Sequence, residues 1–144
     1  MIVISVLLAV LCGLLRRRLH ALLALTAPFM AGAATTLLKP VVGRTFEGAL
    51  AFPSGHTAGV TALVLVAGLL LVSVARAQLA VAAALATGMV ILAGAAIGVA
   101  LVAQDWHYPT DVVGGFCTAM VLVAALAFLL DGLRSALPRG QARL

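Results

Sequence analysis

An all-α bundle of about five membrane-crossing helices is the fold class this sequence predicts, on three observations. Apolar residues fill 65% of the 144 positions and charged residues only 9%, against about 25% charged in an average soluble domain, so a globule would lack a polar coat. The apolar residues run in long uncharged stretches of Ala, Val, Leu and Gly, on the scale of the roughly 20 residues that cross about 30 Å of hydrocarbon. The few charges, nine Lys or Arg and four Asp or Glu, sit between those stretches or at the C-terminus. The whole chain, 1–144, reads as one transmembrane domain.

The first stretch, 1–15, is the weakest, since fifteen helical residues reach only about 22 Å. It makes a poor signal peptide, because its positive cluster Arg16, Arg17, Arg18 follows the apolar run where a signal peptide carries it in front. The stretches 20–38, 57–75, 78–104 and 112–130 complete the five expected spans. Gly55 with Gly59, and Gly94 with Gly98, stand four residues apart, a spacing that lets membrane helices approach closely. Cys12 and Cys117 fall inside apolar runs and are expected as small buried hydrophobes.

Seven cations (Arg16, Arg17, Arg18, Arg76, Arg134, Arg139, Arg143) fall on one set of loops and termini, and two (Lys39, Arg44) on the other. The cation-rich set belongs in the cytoplasm. The 39–56 and 105–111 loops are then expected on the outer face, and the C-terminus inside. The net charge of +5 is explained by this topology, so no nucleic-acid site is expected.

The two outer loops hold nearly all the chemistry: Lys39, Arg44, Glu47, Ser54, His56, Asp105, His107, Tyr108 and Asp111. Such groups at the mouths of membrane helices are costly unless they serve a site. In Pro53-Ser54-Gly55-His56, Ser54 is a natural N-cap, and Gly55 lets a ligand approach the unpaired amides at the start of the third long helix. With the helix dipole this forms an anion cradle, and His56 follows where it can protonate an oxygen leaving the bound anion. In His107-Tyr108-Pro109-Thr110-Asp111, the carboxylate four residues on can hold one ring nitrogen of His107 and leave the other free as nucleophile or base. Lys39 and Arg44 supply the two cations that a phosphoryl group needs in its transition state. Trp106 and Tyr108 are expected as ordinary residues of the interfacial aromatic belt. Two His and scattered carboxylates lack metal-ligand spacing, so no metal site and no cofactor are expected.

On these residues the chain resembles the type-2 phosphatidic acid phosphatase family. The family pattern is Lys, six residues, Arg-Pro; then Pro-Ser-Gly-His; then Ser-Arg, five residues, His, three residues, Asp. Pro53-Ser54-Gly55-His56 is complete, and His107 with Asp111 fits the last part, followed by Val112-Val113-Gly114-Gly115. Counting from Lys39, the first Arg-Pro falls on Phe46-Glu47; counting back from His107, Ser-Arg falls on Ala100-Leu101. Two phosphate-binding arginines are thus replaced. Arg44 lies two positions before the first and is expected to take part of its role, and Gln104 offers hydrogen bonds near the second. The family usually has six spans, so one N-terminal helix is expected to be absent here.

The resemblance implies hydrolysis of a lipid phosphate or polyprenyl diphosphate held by its tail among membrane lipids, through a phosphohistidine and without a metal. His107 would attack phosphorus, Asp111 orient it, and His56 protonate the leaving oxygen. Lys39, Arg44, Ser54 and Gly55 would hold the phosphoryl oxygens. The alternative expectation is an impaired pseudo-phosphatase that binds phospholipid head groups. The sequence leaves oligomeric state open.

Overall fold

The computed structural model describes residues 1–75 and 78–136, apart from the side chains of Arg134 and Ala136. Of the cations behind the expected orientation, Arg76, Arg139 and Arg143 lie outside the described residues. Among the described residues the bundle has five helices: α1 (Ile2–Leu14), α2 (Arg18–Val42), α3 (Gly55–Val74), α4 (Leu79–Ala103) and α5 (Pro109–Ala136). Between α2 and α3 stands one hairpin, β1 (Thr45–Phe46) against β2 (Ala49–Leu50).

Four helices, α2 to α5, are long and apolar enough to cross a membrane, which marks an integral membrane protein. The first expected span, 1–15, forms the helix α1, whose 13 residues make about 20 Å of helix, shorter than the other four. It packs along α2 and leaves the Met1 side chain over Gly59 of α3. α2 and α5 extend beyond the expected stretches at both ends and α3 starts two residues early, whereas α4 lies within 78–104. α2 starts at Arg18 and continues through Lys39, and α5 takes in Pro109, Thr110 and Asp111. Apolar runs mark the hydrocarbon, whereas polar helical turns continue beyond it.

Helix α3 is the hub. Half of its apolar window is buried inside the bundle, against a third or less for α2, α4 and α5. Its Ala58, Ala62 and Val66 pack with Ala24, Ala27 and Ala31 of α2 and with Ala119 and Val123 of α5. Without a water-driven force between helices in lipid, such small side chains gain stability through close backbone approach. The expected glycine spacing acts in this way: a Cβ on Gly94 would meet the Phe116 ring at 2.8 Å, and one on Gly98 the Val112 side chain at 2.5 Å. Cys12 is buried as expected, but Cys117 is exposed on α5, whose outer apolar face needs no cover in lipid.

The α2–α3 and α4–α5 connections lie at the same end of the bundle. At the other end, the Arg17 guanidinium donates to the Ser73 carbonyl at 2.8 Å and ties the start of α2 to the end of α3.

Candidate active site

Each half of the site is a helix start. α3 opens on Ser54 in extended conformation, whose hydroxyl accepts from the Thr57 amide at 3.4 Å and from the Thr57 hydroxyl at 3.1 Å. The Ser54 carbonyl takes the Ala58 amide at 3.1 Å. The amides of Gly55 and His56 remain as the helix-start donors that no described residue takes up, as the anion cradle requires. Ser54 is wholly buried, so its hydroxyl shapes this turn from beneath. His56 is exposed, with its ring centroid 6.1 Å from that of Trp106.

α5 opens on Pro109, which fits a first helical position because it has no amide to leave unpaired. Asp111 reaches back and accepts the Tyr108 amide on Oδ2 at 3.0 Å, one half of a capping box. The same Oδ2 lies 3.5 Å from Nδ1 of His107. That is wider than the 2.7–3.2 Å of a formed N–H···O bond, and catalytic pairs commonly tighten when substrate binds. Asp111 is fully buried, while its other oxygen, Oδ1, accepts no hydrogen bond and faces Nη1 of Arg44 at 3.4 Å.

The two helix starts are joined. The Ser54 amide donates to the Asp111 carbonyl at 2.9 Å, linking the Pro-Ser-Gly-His turn directly to the residue that carries the carboxylate. The glycines after Asp111 permit this approach. A Cβ on Gly115 would collide with the Ser54 carbonyl oxygen and press on Thr57 Cβ at 3.1 Å, and one on Gly114 would meet the Phe52 ring at 2.5 Å.

Of the expected site residues, the structure thus brings together Ser54, Asp111, His107 and Arg44, with Gly55 and His56 on the turn that Ser54 starts. Lys39 sits in the last turn of α2 at the same end, partly exposed, and its carbonyl caps the helix by accepting the Gly43 amide at 2.9 Å. Its ammonium has no hydrogen bond or ion pair among the described residues. Arg44, expected at the phosphoryl oxygens, has its guanidinium on Asp111 and on the Thr110 hydroxyl. Gln104 turns back on its own helix and donates to the Ala100 carbonyl at 2.9 Å. Glu47 and Asp105 are exposed, both at positive φ in tight turns.

Sequence reasoning passed over four contributors. Tyr108 and Trp106 do more than anchor at an interface. Tyr108 lies under Arg44, whose Cζ is 4.8 Å from the ring centroid, and meets the Phe46 ring edge-on at 4.8 Å. Trp106 adjoins His56, and Thr110 accepts from Arg44. The hairpin carrying Phe46 was also unforeseen. Its two-residue turn, Glu47-Gly48, has φ of 48° and 83°, the positive pair that a type I′ turn requires. A Gly after a polar residue between short apolar pairs is the signal that could have found it, though Asn-Gly or Asp-Gly speaks more strongly.

Phe46 and Leu101, the residues expected where the family pattern has arginine, have different surroundings. Phe46 is partly exposed beside Tyr108, whereas Leu101 is 3% exposed inside the bundle, its carbonyl accepting the Trp106 amide at 3.0 Å.

No curated protein and no solved structure matches the chain. The PAP2 superfamily profile matches residues 40–133, which takes in the hairpin, the Pro-Ser-Gly-His turn, the His107–Asp111 pair and the three helices α3 to α5 up to Leu133. With about two thirds of its length matched, the chain belongs to the PAP2 superfamily.

Proposed function

We propose that this protein is an integral membrane phosphatase that hydrolyses a lipid monophosphate or a polyprenyl diphosphate through a phosphohistidine, without a metal ion. Membership of the PAP2 superfamily supports phosphatase chemistry, and four apolar helices favour a substrate whose tail stays in the bilayer. The observation that carries the reading is the 2.9 Å bond from the Ser54 amide to the Asp111 carbonyl, which couples the anion-binding turn to the carboxylate behind His107.

The free ring nitrogen of His107 gives its lone pair to phosphorus, and the bond from phosphorus to the leaving oxygen breaks. That oxygen takes a proton from His56. Asp111 keeps the proton on Nδ1 of His107, so the nucleophilic nitrogen stays available. In the second half His56, now neutral, takes a proton from water, and the water oxygen displaces His107 from phosphorus. Phosphate leaves, and both rings return to their starting states. The amides of Gly55 and His56, framed by Ser54, and the Lys39 ammonium balance the charge on the phosphoryl oxygens. The surplus of cations at the opposite end of the bundle, Arg16, Arg17 and Arg18 among them, supports a site on the outer face and a cytoplasmic C-terminus.

Purified protein in detergent with a chelator, offered phosphatidic acid, phosphatidylglycerol phosphate and polyprenyl diphosphates, tests the reading. It predicts phosphate release from at least one of them and a loss of about 10³-fold or more in His107→Ala. No release, or release unaffected by that substitution, contradicts it.

A further inference from the structure

We propose that Arg44 is a positioning residue, acting on the reaction through Asp111 while an aromatic pair, Tyr108 and Phe46, holds it in place. The inference rests on the phosphatase reading above and assigns Arg44 a role other than that of a phosphoryl ligand.

The argument begins with Asp111. A carboxylate fully removed from solvent is costly unless its charge is compensated. Its Oδ2 is committed to the Tyr108 amide at 3.0 Å and faces His107 at 3.5 Å, but Oδ1 accepts no hydrogen bond. The cation opposite Oδ1 is Arg44, with Nη1 at 3.4 Å and the same nitrogen donating to the Thr110 hydroxyl. Arg44 therefore supplies the charge that compensates the buried carboxylate and fixes its rotation, with Oδ2 turned to Nδ1 of His107.

Arg44 is itself held from two directions, at its backbone and at its guanidinium. Its carbonyl accepts the amide of buried Ala51 at 2.9 Å, closing the base of the hairpin. Its guanidinium carbon lies 4.8 Å from the centroid of the Tyr108 ring, within cation–π range. The far support of that ring is Phe46, edge-on at 4.8 Å and fixed by its pairing with Ala49 across the Glu47-Gly48 turn. Phe46 occupies the position at which the family pattern places an arginine. An aromatic there completes a relay from Phe46 to Tyr108, to Arg44, to Asp111, to His107.

Steady-state kinetics on the lipid phosphate that the protein hydrolyses, with inorganic phosphate as competitive inhibitor, separates positioning from direct binding. Arg44→Gln is expected to lower kcat about 30-fold while leaving KM and the inhibition constant for phosphate within about twofold. Arg44→Lys, which keeps the cation, should recover about half of that loss on a logarithmic scale. Tyr108→Leu, which removes the ring beneath Arg44, and Phe46→Leu, which removes the support of that ring, should each lower kcat about fivefold. In the Asp111→Asn background, Arg44→Gln should add less than about twofold, since the two act as one unit. A rise of about tenfold or more in the phosphate inhibition constant of Arg44→Gln, or losses that multiply with Asp111→Asn, would overturn the proposal. If the parent protein releases no phosphate, the phosphatase reading fails by itself. The pairing is then read by thermal unfolding of Arg44→Gln, Asp111→Asn and the double variant, and additive shifts overturn it.

Discussion

The amide of Ser54 and the carbonyl of Asp111 meet at 2.9 Å, so two helix starts 57 positions apart in sequence share one hydrogen bond at one end of the bundle. Neither residue achieves this alone, because Gly115 must let the Ser54 carbonyl pass where any larger side chain would stand. Gly115→Ala is therefore expected to part the two turns. The overpacking should cost about 1–3 kcal/mol, seen as a lower unfolding temperature in detergent, together with a loss of phosphate release. Gly132→Ala, where a Cβ meets nothing within 4 Å, should change neither.

Phe46 and Leu101 should respond differently to an introduced arginine. Phe46→Arg places its charge on a partly exposed hairpin beside Tyr108, and the protein should purify as a stable, monodisperse species. Leu101→Arg puts a charge where only 3% of the residue is exposed, and an unpaired buried charge costs about 3–5 kcal/mol. Yield and melting temperature in detergent give the comparison, and equal tolerance would contradict the packing described for α4.

Trp106 is the chain's single tryptophan, and its ring lies 6.1 Å from His56. Its fluorescence should change saturably with inorganic phosphate if an anion enters between the α3 start and His107. The change should be lost or weakened about tenfold in Lys39→Ala, since removing a charge-assisted contact costs about 1.5–3 kcal/mol. A signal indifferent to phosphate would place Trp106 away from the binding position.

The orientation can be read with a thiol probe. In a Cys117→Ser background, with Cys12 buried, Thr45→Cys on the exposed first strand should react with a membrane-impermeant maleimide applied from outside intact cells. A reporter fused after Leu144 should read as cytoplasmic. The opposite pair of results would turn the site to the inner face.

What the sequence made legible was the part governed by short spacings. Ser54 and His56 flank one helix start, and Asp111 follows His107 by one helical turn, so local backbone geometry alone puts each group near its partner. The four long spans were legible because hydrocarbon demands uninterrupted apolar runs, but the ends of α2 and α5 were not, since Lys39 extends the one and Pro109 to Asp111 the other into polar surroundings. The hairpin escaped notice because its strands have two residues each and its turn uses Glu47 where Asn or Asp is the stronger signal. Arg44 was recognised as a cation near the site, but its attachment to Asp111 depends on Tyr108 and Phe46, 64 and two positions away, and no local pattern encodes that contact.

Transfer of labelled phosphate onto the protein is the most direct test of the central claim, that His107 becomes phosphorylated when a lipid phosphate is cleaved. With a substrate labelled in its terminal phosphoryl group and rapid quenching, the account predicts an alkali-stable, acid-labile label on the wild-type chain. The label should be absent from His107→Ala; in His56→Ala, which lacks both the acid for the leaving oxygen and the base for water, it should form more slowly and, once formed, decay more slowly than in the wild type. A label that persists in His107→Ala, or phosphate release with no labelled protein in either the wild type or His56→Ala, would contradict it.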